Sequence, residues 1–103
     1  MAPSGFVAVL VIELRFPEAG SLKSKRKDLS SVKAQLNTRF AVAVSETDHQ
    51  DLWQRATLTA AMTGGSLTKL IAAVDGVERW LHARFPDGVS VERIVASLED
   101  LRE

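Results

Sequence analysis

The stretch Ser21-Leu22-Lys23-Ser24-Lys25-Arg26-Lys27 packs four cations into seven residues of a chain whose formal net charge is zero. From Ser21 to Phe40 there are six basic residues (Lys23, Lys25, Arg26, Lys27, Lys33, Arg39) against one acid, Asp28, so this segment carries +5 and the remainder −5. Segregated positive charge suits a phosphate backbone. Arginine can hold a phosphate in a two-pronged way, whereas lysine acts as a point charge. Lys23, Lys25, Arg26, Lys27 and Lys33 are therefore the expected RNA- or anion-binding residues. The bland alternative is a solvated, lysine-rich helix face. The helix dipole disfavours cations in a first turn, yet cations beside unpaired helix N–H groups make a stronger anion site than either alone.

Asp48-His49-Gln50-Asp51 offers two carboxylates and an imidazole, which could hold a divalent cation or share a proton. The spacing matches no metal signature, and the second histidine, His82, lies far along the chain. Turn chemistry explains these residues as well. Gly64-Gly65-Ser66 lacks the longer glycine pattern of a phosphate-cradling loop and reads as a helix cap. No Ser-His-Asp set or dinucleotide fingerprint is present. The expectation is a non-catalytic protein with no cofactor and no metal.

Trp53 and Arg55 share one face of a strand pattern running from Trp53 to Met62. An aromatic beside an arginine can stack on a base or anchor a protein interface. On the first strand the matching positions are Val7, Val9 and Val11, none aromatic, so stacking of bases across the sheet is not expected. A contiguous apolar patch on an open sheet marks an interface. Val7, Val9, Val11, Trp53 and Arg55 are the expected dimer or partner surface.

The elements that must position these residues follow from periodicity. Phe6–Phe16 is rich in β-branched and aromatic residues and alternates after Ile12, which predicts a strand. Ser21 or Ser24 caps a helix whose stripe is Leu22, Leu29, Val32, Leu36 and Phe40. Ala41–Thr47 and Trp53–Met62, joined by a polar turn, predict a hairpin. Ser66 caps a second helix with the stripe Leu67, Leu70, Ile71, Val74, Val77, Leu81 and Phe85, and Trp80 falls in it as a packing residue. Pro86-Asp87-Gly88 is a turn. The segment after Val89 fits a strand, while Ile94, Val95, Leu98 and Leu101 fit a helix. A strand closes the order β-α-β-β-α-β. The expected fold is α+β, a ferredoxin-like split β-α-β sandwich whose antiparallel sheet carries two helices on one face. Residues 1–103 form one domain, with 1–5 and 99–103 as flexible tails.

The length of 103 residues supports one core, and 46% apolar residues suit a globular chain. There is no cysteine. No apolar run approaches the roughly 20 residues needed to span a bilayer, and residues 1–12 lack the pattern of a signal sequence. A cytoplasmic protein with no membrane contact is expected.

Glu13-Leu14 followed by Ser21-Leu22-Lys23-Ser24-Lys25-Arg26 resembles the start of the YlxP-like family of small bacterial proteins. Asp48-His49-Gln50-Asp51-Leu52-Trp53-Gln54-Arg55-Ala56-Thr57-Leu58 resembles that family's middle segment. The resemblance covers about residues 6 to 95 and leaves Met1–Gly5 and Leu98–Glu103 unmatched. It implies a ferredoxin-like fold of unknown function. It also implies a gene setting among those for transcription, translation initiation and ribosome maturation, and it carries over no established activity, cofactor or catalytic residue. The functional expectation is a binding module that meets RNA or a ribosome-associated ribonucleoprotein through the basic helix. The alternative is a protein–protein adaptor or regulatory homodimer without nucleic-acid binding.

Overall fold

In a computed structural model, which describes residues 4–103, the alternation of β1 (Phe6–Arg15) sorts its side chains onto two faces. Ala8, Leu10, Ile12 and Leu14 are buried against the helices, and Val7, Val9, Val11 and Glu13 occupy the opposite face, half exposed. β1 is central. It pairs antiparallel with β3 (Arg55–Gly64) on one side and with β4 (Val89–Ser97) on the other. β2 (Ala43–Asp48) pairs with the outer edge of β3, giving the order β2-β3-β1-β4. The fold is the ferredoxin-like β-α-β-β-α-β arrangement, with helices α1 (Leu22–Phe40) and α2 (Leu67–Arg84) between its strands.

Both helices start where serine supplies a cap. Ser21 Oγ accepts the Ser24 N–H at 3.1 Å, and Ser66 Oγ accepts the Lys69 N–H at 3.4 Å. Leu29, Val32 and Leu36 from α1 and Leu70, Val74, Val77 and Leu81 from α2 are buried on the sheet. Phe16 and Phe85 close one end of the core edge to face, 5.6 Å between centroids, and Trp80 packs against Phe40.

Two strand starts and the tail differ from the periodicity for identifiable reasons, and the strand ends shift by one or two residues. The second strand begins at Ala43 rather than Ala41, because Ala41 is the left-handed C-cap of α1, its N–H reaching back to the Asn37 carbonyl. The third strand begins at Arg55 rather than Trp53, which leaves Trp53 in the loop before it. The ambiguous tail takes both forms in turn. β4 runs to Ser97, and Leu98–Leu101 closes one helical turn, α3, through a reciprocal Ser97–Asp100 capping box. That turn covers much of the expected 99–103 tail. At the other end the Gly5 carbonyl accepts the Leu98 N–H at 2.9 Å, and residues 1–3 of the expected tail lie outside the described residues.

Arg93 points from β4 to the helix side and bridges Asp75 and Glu78 of α2 at 2.6 Å each. Those hydrogen bonds, Glu78 first and Asp75 second, hold its guanidinium still more firmly protonated than usual. The topology gathers the end of β1, the start of α1, the β2–β3 loop, the end of α2 and the start of β4 at one pole of the domain.

Candidate functional site

At that pole α1 begins with no acidic residue in its first turn. Lys23, Arg26 and Lys27 are exposed, and none has a carboxylate within ion-pair distance among the described residues. Lys33 is half-buried one turn and a half further on. The structure therefore brings three of the expected cations onto one open face beside the unpaired amides of the helix start.

Lys25 is placed elsewhere, which corrects its expected role as a surface contact. Its side chain is 1% exposed, turned inward from α1. Nζ donates to the His49 carbonyl at 2.6 Å and lies 3.0 Å from Glu46 Oε2 on β2. The Glu46 contact is an ion pair with poor hydrogen-bond direction, since Oε2 accepts no hydrogen bond among the described residues. A buried lysine must be compensated, and here a carbonyl and a carboxylate do so.

His49 receives that lysine in a left-handed conformation, φ 61°. A bulge between Glu46 and Asp48 inserts an extra residue into β2 and re-aims the end of the strand. The Asp48 carboxylate accepts the His49 backbone N–H at 2.7 Å. The imidazole turns to the open face, where Nδ1 is 2.8 Å from Thr57 Oγ1. Thr57 in turn donates to Glu13 Oε2 at 2.8 Å. With its single proton given to Glu13, the Thr57 oxygen accepts from His49, which places a proton on Nδ1. His49 thus joins two sets of contacts, its imidazole to Thr57 and through it Glu13 on the open face, and its backbone carbonyl to Lys25 of α1. Asp48, His49 and Asp51 do not form a metal-binding cluster, and no group of three metal-capable side chains converges among the described residues.

On the open face, next along the strands from Glu13 and Thr57, Arg15 and Arg55 stand directly opposite each other in register. In the other direction from Glu13, toward the start of β1, lie Val11, Val9 and Val7, with Ile94 of β4 beside Val9 and 50% exposed. Trp53 is 51% exposed in the loop leading into β3, off the sheet face that the valines share.

The family described as a protein of unknown function, DUF503, matches residues 7–94. The chain belongs to the DUF503 family. Its likeness to the uncharacterized protein YlxP of Bacillus subtilis (strain 168) is 30% identity over 82 residues, covering 80% of this chain and 85% of that one. Among solved structures, the de novo designed protein Foldit4 superposes with a TM-score of 0.56 at 12% identity, covering 89% of this chain and 96% of that chain. At that identity the likeness concerns the fold alone.

Within this DUF503 chain the residues that sequence reasoning missed are Glu13, Thr57 and Arg15. The first two depend on strand register, which no local pattern gives. Arg15 was visible as a charge at the end of a strand, but its opposition to Arg55 was not. Lys25 did carry a signal, because Lys25, Leu29, Val32 and Leu36 fall at helical spacing and extend the buried stripe backwards by one turn.

Proposed function

We propose that the chain is a non-catalytic binding module that contacts RNA phosphates, on a ribonucleoprotein of the ribosome or its assembly, through the start of α1. The observation that carries this reading is the exposed trio Lys23, Arg26 and Lys27, free of ion pairs among the described residues, beside a helix start with no acid. Burial of Lys25 supports it indirectly by anchoring the helix that displays the trio. Lys33, half-buried, is a secondary contact. Arg84 lies at the same pole, stacked on the Phe85 ring at 4.9 Å. A cytoplasmic setting is part of the proposal. No helix of the described residues is long and apolar enough to cross a membrane.

The test is fluorescence anisotropy with structured ribosomal RNA over a series of salt concentrations. Three phosphate contacts give a log–log slope near −2 to −3. Replacing Lys23, Arg26 and Lys27 by alanine is expected to remove that much of the slope. No binding at low salt sinks the proposal.

A second reading, a homodimer or adaptor through the open sheet face, is favoured by Ile94, which extends the Val7, Val9 and Val11 row into a continuous apolar band. Ile94→Glu should then convert a dimer to a monomer by light scattering. A wild-type protein that is monomeric at high micromolar concentration removes the homodimer version.

A further inference from the structure

Between the β1–α1 loop and the start of β3 is an open concavity of about 310 Å³, lined by Arg15, Pro17, Leu52, Trp53, Gln54 and Arg55. Two of its lining residues are arginines and none is acidic, in a chain whose charges balance. A neighbouring concavity shares both arginines but also holds Glu13 and Asp87, so an anion is favoured on the loop side. Arg15 and Arg55 oppose each other across β1 and β3, and neither has an ion-pair partner among the described residues. Like charges directly opposite destabilise a sheet. An anion between them reverses the sign, and two guanidinium forks match the oxygens of a phosphate. Among the described residues Glu13, two residues before Arg15, makes no ion pair with either arginine, and one of its oxygens accepts from Thr57.

The walls are tied together before any ligand arrives. The Phe16 N–H donates to the Gln54 carbonyl at 2.8 Å, and Gln54 Nε2 reaches the Pro17 carbonyl at 3.4 Å. The backbone of both walls is therefore already in place when a ligand arrives. Trp53 and Leu52 leave 51% and 44% of their surface in water beside the arginines. A half-exposed indole is a stacking platform for a base. The volume lies at the lower end of the roughly 300–1,000 Å³ common for small-molecule sites, which suits one nucleotide rather than several.

We propose that this concavity takes a single unpaired nucleotide, its base stacked on Trp53 and its phosphate held between Arg15 and Arg55. The proposal rests on the RNA reading for the strand that supplies the nucleotide. The cations of α1 do not line the pocket, so the two readings fail separately.

The test is calorimetry and tryptophan fluorescence with adenosine 5′-monophosphate, adenosine, ribose 5-phosphate, inorganic phosphate and a short single-stranded oligoadenylate. The monophosphate is expected to bind about tenfold or more tighter than adenosine or ribose 5-phosphate. Trp53→Ala and Arg55→Gln should each cost about tenfold, whereas alanine at Lys23, Arg26 and Lys27 should leave mononucleotide affinity unchanged. Circular dichroism checks that each variant folds. If Trp53→Ala does not fold, Arg15→Gln with Arg55→Gln carries the test, since both side chains are exposed. Tighter binding of the oligoadenylate than of the monophosphate supports an RNA strand as the source, and equal binding overturns that source. Phosphate or ribose 5-phosphate binding as tightly as the monophosphate, or no binding at millimolar concentration, overturns the site.

Discussion

Lys25 Nζ lies 2.6 Å from the carbonyl oxygen of His49, joining the start of α1 to a left-handed residue at the end of β2. The ammonium is thereby buried between one helix and the hairpin, with Glu46 as its counter-charge. Lys25→Met leaves that carboxylate without its counter-charge and the His49 carbonyl without its donor. Removing one partner of a buried pair costs about 3–5 kcal/mol, and Glu46, still 19% exposed, points to the lower end. Urea unfolding should show a loss of about 3 kcal/mol. Lys25→Met combined with Glu46→Leu should be milder, because no uncompensated charge remains. A single-variant loss below about 1 kcal/mol, the net worth of an ordinary hydrogen bond, contradicts this account.

Thr57 is nearly buried between His49 and Glu13. Thr57→Val keeps the shape and removes the hydroxyl that both neighbours use. Each loses one partner but retains access to water, so a cost of about 1–2 kcal/mol is expected. Nitrogen NMR of the imidazole gives the independent readout. In the wild-type protein Nδ1 carries the proton, and the variant should show a mixture of tautomers. An unchanged ring spectrum counts against the hydrogen-bond chain.

The opposed arginines make the reverse prediction. Arg55→Gln relieves repulsion with Arg15 and should raise stability by up to about 1 kcal/mol. The gain should shrink at high salt, because exposed charges are screened. Thermal unfolding at low and high ionic strength measures both. A destabilised Arg55→Gln protein shows that Arg55 has a favourable structural role.

Asp100 is held below the usual carboxylate range, first by the Ser97 backbone N–H and then by the Ser97 hydroxyl. A carboxyl whose folded pKa is lowered stabilises the folded form above its ordinary pKa, and that contribution is lost as pH falls through the folded value. The Ser97–Asp100 capping box should therefore stay closed through the neutral range and open only as pH falls below the ordinary aspartate range. The Ser97 amide shift, followed by NMR, should titrate there in the wild-type protein and not in Asp100→Ala. Titration at or above the normal aspartate range contradicts the capping geometry.

Much of the fold was legible because its signals are local. Ser21 and Ser66 precede apolar stripes and cap both helices, and Ala8, Leu10, Ile12 and Leu14 alternate onto the buried face of β1. The strand limits at Ala41 and Trp53 were not legible, because composition resembles strand on both sides of a cap or turn. The site was legible in part. The charge run around Lys23, Arg26 and Lys27 was plain, while the departure of Lys25 from it depends on helical phase against Leu29 and Val32. The pairing of Arg15 with Arg55, and of Glu13 with Thr57, follows from register between segments about 40 residues apart in sequence, which is fixed by the whole sheet rather than by either segment.

Phe6 and Ser97 are cross-strand neighbours at the far end of β1 from Arg15. At roughly 3.3 Å per residue a strand of this length separates them from the arginines by about 30 Å. A dye or surface tether joined just after Ser97 therefore stands well clear of Trp53. Immobilised in that orientation, the domain presents its arginine-bearing pole to the solution, and a donor fluorophore at the far end reports ligand arrival by distance rather than by contact.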